Sequence, residues 1–302
     1  MEARDPRFSH LLAEDAVVER IACGFRFTEG PIWVDDHLLF SDIASSRIVR
    51  WTPLPEGPEL RTYRFPSQLA NGLTVDASGR LLTCEGASRQ LTRTETDGTL
   101  TILAHTYQGK RLNAPNDVVV AADGSIYFSD PFWGHLFDNP TGERVRLEDR
   151  ELPFAAVFRV GRDDQLTPVA DDFEVPNGLA FSPDFRTLYI DDSRRRHIRA
   201  FDVRADGSLT NGRVFATLEA PERGAPDGMK VDQEGNIFCT GPGGVWVLAP
   251  DGAILGRIRP PEQPANVAWG DTDLRTLYMT AQTSVYRVRV NVPGVPVIVD
   301  AG

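Results

Sequence analysis

At 302 residues, with 41% hydrophobic and 25% charged residues, the chain has material for a large core and no stretch of disordered composition. Its formal charge of -11, from 32 basic and 43 acidic residues, argues against a nucleic-acid partner, because the long-range field repels a phosphate backbone. No apolar run reaches bilayer-spanning length, and Met1-Glu-Ala-Arg-Asp-Pro-Arg lacks the basic-then-apolar order of an export signal, so a cytoplasmic protein with no membrane partner is expected. Cys23, Cys84 and Cys239 are too few and too scattered for a disulfide framework or a thiolate metal site, and are expected to be buried free thiols.

Along the chain, short runs of Val, Ile, Leu, Phe and Tyr alternate with Asp-Gly, Ser-Gly and Asn-Gly turns, and sustained helical periodicity is absent. The protein is therefore expected to be all-β. The first strand-like segment, Ala16 to Ile21, precedes a unit that begins at Glu29 in EGPIWV. Units of the same shape follow at Asn71 (NGLTVD), Asn116 (NDVVVA), Asn177 (NGLAFS), Asp227 (DGMKVD) and Asn266 (NVAWGD). Successive starts are 42, 45, 61, 50 and 39 residues apart. A repeat of roughly 40 to 50 residues is that of a four-stranded propeller blade.

The second unit reads GLTV, RLLTC, QLTRT, LTILA, and the fourth and fifth divide into four strands in the same way. The sixth offers only NVAW, TLYMT and SVYRVRV. A six-bladed β-propeller over residues 1–302 as one domain is expected, with four antiparallel strands per blade. The N-terminal strand at about 16–21 would complete the last blade and remove the exposed edge. If the first strand of each blade starts at the top face, the loops leaving strands two and four lie there as well. Two such segments stand out. Residues 131–153 form an insertion carrying Phe132, Trp133, His135 and Phe137, and loops of this length are commonly lids. Residues 107–115 carry Lys110, Arg111 and Asn113. Trp133 and His135 are therefore candidates for substrate contact.

The first strands of a propeller line its channel, so Glu29, Asn71, Asn116, Asn177, Asp227 and Asn266 converge on one axis. Two acids and four amides, with no His or Cys, suit a hard divalent cation, calcium first, although an oxygen-only site also accepts magnesium, manganese or zinc. Asn-Gly and Asp-Gly also form plain turns. That reading explains any single site but not Glu29-Gly-Pro, nor acids in two blades.

The motifs EGPIW, NAPNDVVV with DGSIYFSDP, VPNGLAFSPD with TLYIDDS, and APDGMKVDQEGNIF with GPGGVWV resemble those of the gluconolactonase, senescence-marker-protein (regucalcin) and luciferin-regenerating-enzyme family, from about Phe27 to Val290. The resemblance implies a six-bladed fold, one divalent metal in the channel and hydrolysis of a small-molecule lactone. It implies Glu29, Asn116, Asn177 and Asp227 as metal ligands, and Arg111 and Asn113 as substrate contacts. Many similar sequences carry a His after Cys-Glu in the second blade. Here Cys84-Glu85 is followed by Gly86, and no role of that His transfers.

The expected chemistry is attack of water on a polarised lactone carbonyl, with Asp227 as general base and Glu85, at the end of a second strand, in reserve. Phosphotriester hydrolysis and a non-catalytic calcium-binding propeller are the alternatives that the same residues allow. Asp191-Asp192 is read as either a contact at the mouth or a solvated turn, and Arg194-Arg195-Arg196 as a solvated loop.

Overall fold

The computed structural model describes residues 1–13, 15–133 and 150–297. Among them, six sheets are arranged as a six-bladed β-propeller. Blade one is built from Thr28–Val34, His37–Asp42, Arg47–Thr52 and Glu59–Arg64, and blade two from Ala70–Val75, Leu81–Glu85, Gln90–Thr94 and Leu100–Ala104. Blade three uses Val118–Val120, Ile126–Asp130, Ala155–Val160 and Leu166–Phe173. Blade four uses Pro176–Phe181, Thr187–Asp192, His197–Val203 and Leu209–Thr217. Blade five contains Met229–Val231, Ile237–Gly241, Gly244–Leu248 and Ile254–Ile258. Every strand pair within these sheets is antiparallel, and short turns join successive strands except across the insertion between Asp130 and Ala155.

The sixth blade, Asn266–Gly270, Thr276–Ala281 and Ser284–Arg289, takes its outer strand from Glu19–Cys23. That strand lies slightly later in the chain than residues 16–21. The register pairs Glu19 with Arg287 and Ala22 with Val285, adding an ion pair of 2.8 Å and burying Ala22. Val17, ahead of the strand, is 74% exposed and has no place in it. Cys84 and Cys239 are buried as expected, but Cys23 is exposed, because the outer strand of a blade turns one face to solvent.

An element absent from the sequence expectation is Glu2–Ala3, a fifth strand on blade five. It is followed by the one-turn helix Phe8–Leu11, which buries Phe8 and Leu11 against the core of blades five and six. Arg257, nearly buried, holds this segment through Glu2 at 2.6 Å. Between neighbouring blades the core is stapled by aromatic pairs. Tyr127 meets Phe181 edge-on at 5.3 Å, Phe238 meets Trp269 edge-on at 4.9 Å, and Trp33 stacks on Tyr278 at 5.3 Å. Such pairs each contribute about 0.5–1.5 kcal/mol beyond area burial, and they fix blade against blade.

Glycine allows the blades to meet at the axis. A Cβ on Gly30 would stand 1.9 Å from the Asn71 carbonyl oxygen, and one on Gly178 would stand 2.0 Å from that of Asp227. The residue after each of these axial positions thus touches the backbone of the next blade, where only a hydrogen fits. No helix of the described residues is long and apolar enough to cross a membrane.

Candidate active site at the top of the channel

A cavity of about 460 Å³ opens where the first strands begin, lined by Glu29, Asn71, Asn116 and Asp227 below and by Phe27, Ile43, Leu69 and Trp133 around it. Four of the six axial residues thus face one space. The other two, Asn177 and Asn266, are buried in the same cluster, 1% and 2% exposed. The Asn266 amide donates to Glu29 Oε2 at 3.0 Å, and Glu29 also accepts its neighbour Gly30 N–H. Asn177 Nδ2 donates to Ser193 Oγ at 2.9 Å, and that hydroxyl in turn donates to the Pro226 carbonyl at 2.7 Å. Ser193 therefore orients the Asn177 amide and holds the backbone just ahead of Asp227.

The structure adds an acid that motif reading passed over. Asp117, 2% exposed, accepts the Asn266 amide at 3.4 Å and its own following N–H at 2.9 Å. It occupies the slot that holds glycine in units one, two, four and five, and that break in the repeat was the available signal. Burial pushes the Glu29 carboxyl up, and the Asp117 charge adds to it. Asp227 is pushed well above the ordinary range by burial and then by Glu29, with Asn177 working the other way. Asp191, fully buried against Gly178, is raised by burial and by the charges of Asp227, Asp117 and Asp192. Like charges out of water raise one another in this way unless a cation joins them.

Whether a divalent cation suits this cluster is decided by its donors. No group of three or more His, Cys, Asp or Glu side chains among the described residues is placed to hold a metal. A site here rests instead on two carboxylates with amide oxygens. Asn71 Oδ1 is buried without a hydrogen-bond partner, and so is Asp191 Oδ1. Acceptor-only oxygens around mutually repelling carboxylates are the donor set of a hard cation, so the residues fit the group.

Glu85 is buried, but its carboxylate already accepts from Arg64 Nη2 at 2.9 Å, Ser88 Oγ at 2.6 Å and Thr92 Oγ1 at 2.8 Å. Asp227, by contrast, lines the cavity. Arg111 and Asn113 do not line it. The segment carrying Arg111 folds as a hairpin of Thr106–Tyr107 with Lys110–Arg111, and Arg111 is held by Glu151 at 2.6 Å. Asn113 spends its amide on the carbonyls of Asp130 and Phe154 at 3.1 and 3.0 Å. Of the insertion, Trp133 reaches the cavity, while Arg150 lies 4.8 Å over the Phe132 ring and Leu152 is buried. His135 and Phe137 fall outside the described residues. Asp191 and Asp192 are both fully buried, so neither sits in a solvated turn, whereas Arg194, Arg195 and Arg196 are exposed.

The family profile described as "SMP-30/Gluconolactonase/LRE-like region" matches residues 27–283. The chain belongs to this family. It is 30% identical to a gluconolactonase of Zymomonas mobilis, over 96% of this chain and 85% of that one. A pentonolactonase of Haloferax volcanii is 28% identical over 84% of this chain and 81% of its own length. The structure of a gluconolactonase from Xanthomonas campestris superposes with a TM-score of 0.85 at 34% identity, covering 96% of this chain and 94% of that chain.

Proposed function

We propose that this protein hydrolyses a sugar lactone at the top of its channel, using a divalent cation held by Glu29, Asn116, Asn177 and Asp227, with calcium the first choice. The observation that carries the reading is a cavity in which two carboxylates and two amides from four blades, Glu29, Asn71, Asn116 and Asp227, face an apolar rim. Relatives named for gluconolactone and pentonolactone hydrolysis support the substrate class. The chemistry such a cation supplies when bound is Lewis-acid polarisation of a carbonyl oxygen.

The protein's own residues supply the rest. Phe27, Ile43, Leu69 and Trp133 enclose the ring of the lactone and restrict bulk water. Asp227 takes a proton from the attacking water as its oxygen bonds to the carbonyl carbon. Collapse of the tetrahedral adduct breaks the ring C–O bond, and the departing alkoxide takes back the proton held by Asp227, leaving the open-chain hydroxy acid, whose carboxyl then ionises and releases a proton to solvent. Glu85, saturated by three donors, is left holding blade two in this mechanism. Arg111 and Asn113 would meet substrate only after leaving Glu151 and the Asp130 and Phe154 carbonyls.

The test is proton release from aldonolactones and from a phosphotriester, with calcium, magnesium, manganese or zinc added to chelator-treated protein. Cation-dependent release from an aldonolactone is expected. Release from the phosphotriester alone would replace the lactone with that substrate, and cation binding without release from either would leave a binding protein.

A further inference from the structure

Three buried acids on the top face share a geometry that their positions in the chain do not reveal. Asp42, Asp130 and Asp192 each end the second strand of a blade, and each is 0% exposed. Asp42 Oδ1 accepts the backbone N–H groups of Arg26 and Phe27 at 3.0 and 3.2 Å. The two oxygens of Asp130 accept those of Asn113 and Ala114, both at 2.8 Å. The oxygens of Asp192 accept those of Glu174 and Val175 at 2.7 and 3.3 Å. In every case the donors stand three and two residues ahead of an axial residue: Glu29, Asn116 and Asn177 in turn.

The other three blades lack the device. In blade two the corresponding acid, Glu85, is turned to Arg64, Ser88 and Thr92. In blades five and six the second strand ends at Gly241 and Ala281, which have no side-chain acceptor to offer. The three clamped blades are thus the ones carrying Glu29, Asn116 and Asn177. The fourth residue of the set, Asp227, is placed through Ser193 and the Pro226 carbonyl instead.

We infer that Asp42, Asp130 and Asp192 are positioning residues that set the height and angle at which Glu29, Asn116 and Asn177 enter the channel. The inference rests on the reading of those axial residues as cation ligands. An incoming chain segment ordinarily has freedom to slide along the rim. Two N–H bonds to one buried carboxylate remove that freedom within a residue or two of the donor oxygen. A carboxylate suits the task because both its oxygens accept, whereas an amide in its place points one N–H at a backbone donor. Partners of this kind behind metal ligands typically affect metal affinity about 10–100-fold.

The experiment titrates calcium and manganese into chelator-treated wild type and the variants Asp42→Asn, Asp130→Asn and Asp192→Asn by calorimetry, with circular dichroism confirming the fold. The control is Asp232→Asn. Asp232 is equally buried and accepts two backbone N–H groups, from Glu234 and Asn236 at 3.0 and 2.8 Å, but at a turn at the opposite end of the channel. The three top-face variants are expected to bind about 10–100-fold more weakly, and the control to bind as wild type does. Where an Asn variant does not fold, the Glu variant keeps charge and acceptors but displaces them by one methylene, and the same weakening is expected. Wild-type affinity in the folded top-face variants, or an equal loss in the control, overturns the inference. Absence of saturable binding by wild type overturns the cation-site reading itself.

Discussion

The two ends of the channel are built from the same strands and finished differently. At the top the blades leave a cavity of about 460 Å³, and its rim is set by acids bonded to backbone 15 to 18 residues away in sequence. At the bottom only about 70 Å³ remains, because the C-terminal segment lies across the opening and Val295, Pro296 and Val297 line what is left. The acids there bond locally: Asp76 takes the N–H groups of Ser78 and Arg80, and Asp232 those of Glu234 and Asn236. An acid with only local partners closes a turn, and one with distant partners fixes where another segment must pass, as Asp192 does while also taking the N–H groups of Arg194 and Arg195. Changes at the bottom should therefore register as stability, and changes at the top as binding and turnover.

The largest expected effect is at the top. Asp227→Asn should lower turnover of an aldonolactone by about 10³-fold while the circular dichroism spectrum is unchanged; near-normal turnover in a cation-loaded variant would remove Asp227 from the base role. The opposite end gives the sharpest contrast. Leu11, 2% exposed, packs beneath blades five and six, and Leu11→Ala should cost roughly 2–5 kcal/mol in urea unfolding with little change in kcat/KM of the folded fraction. A matching fall in kcat/KM would mean that the two ends are coupled.

Smaller still, Ser193→Ala frees the Asn177 amide and the Pro226 carbonyl, and should weaken cation binding by about fivefold, in line with roughly 1 kcal/mol for a hydrogen bond. Calorimetry would show no change if Ser193 merely fills space. The least effect belongs to the pair Asp273–Arg289, whose side chains are 47% and 56% exposed. The Arg289 guanidinium holds the Asp273 carboxyl down to about 2 from the ordinary 3.8. A depressed carboxylate stabilises the fold above its unfolded value, and that contribution is lost as the pH falls from about 4 to about 2. After solvent screening it is under about 1 kcal/mol. The stability gap between wild type and Asp273→Asn should close over that window, and a gap that stays constant would deny the pair any role.

The contrast between the ends also explains what could be read from the sequence. Turn acids such as Asp76 and Asp232 announce themselves beside Gly79 and Gly235, and the axial residues recur at blade intervals. The fold and the convergence of Glu29, Asn71, Asn116 and Asp227 were legible for that reason. Asp42, Asp130 and Asp192 end strands whose partners lie in the segment before the blade, and no local spacing marks such a bond. Asp117 was visible only as a break in the glycine pattern. The commitments of Arg111 to Glu151 and of Glu85 to Arg64 depend on residues from separate elements meeting, which periodicity does not encode.

The join between Glu19–Cys23 and the sixth blade has a consequence for how the chain reaches this state. Glu19 finds Arg287 across 268 residues of sequence, so the strand Glu19–Cys23 has no partner until nearly the last strand exists. Closing a loop of that length is entropically slow to initiate though cheap per added residue. The propeller is built as a necklace whose clasp joins a strand from each end of the chain. The four principal strands of each of blades one to five come from one continuous stretch of chain, whereas the sixth blade is complete only when both ends of the sequence are present.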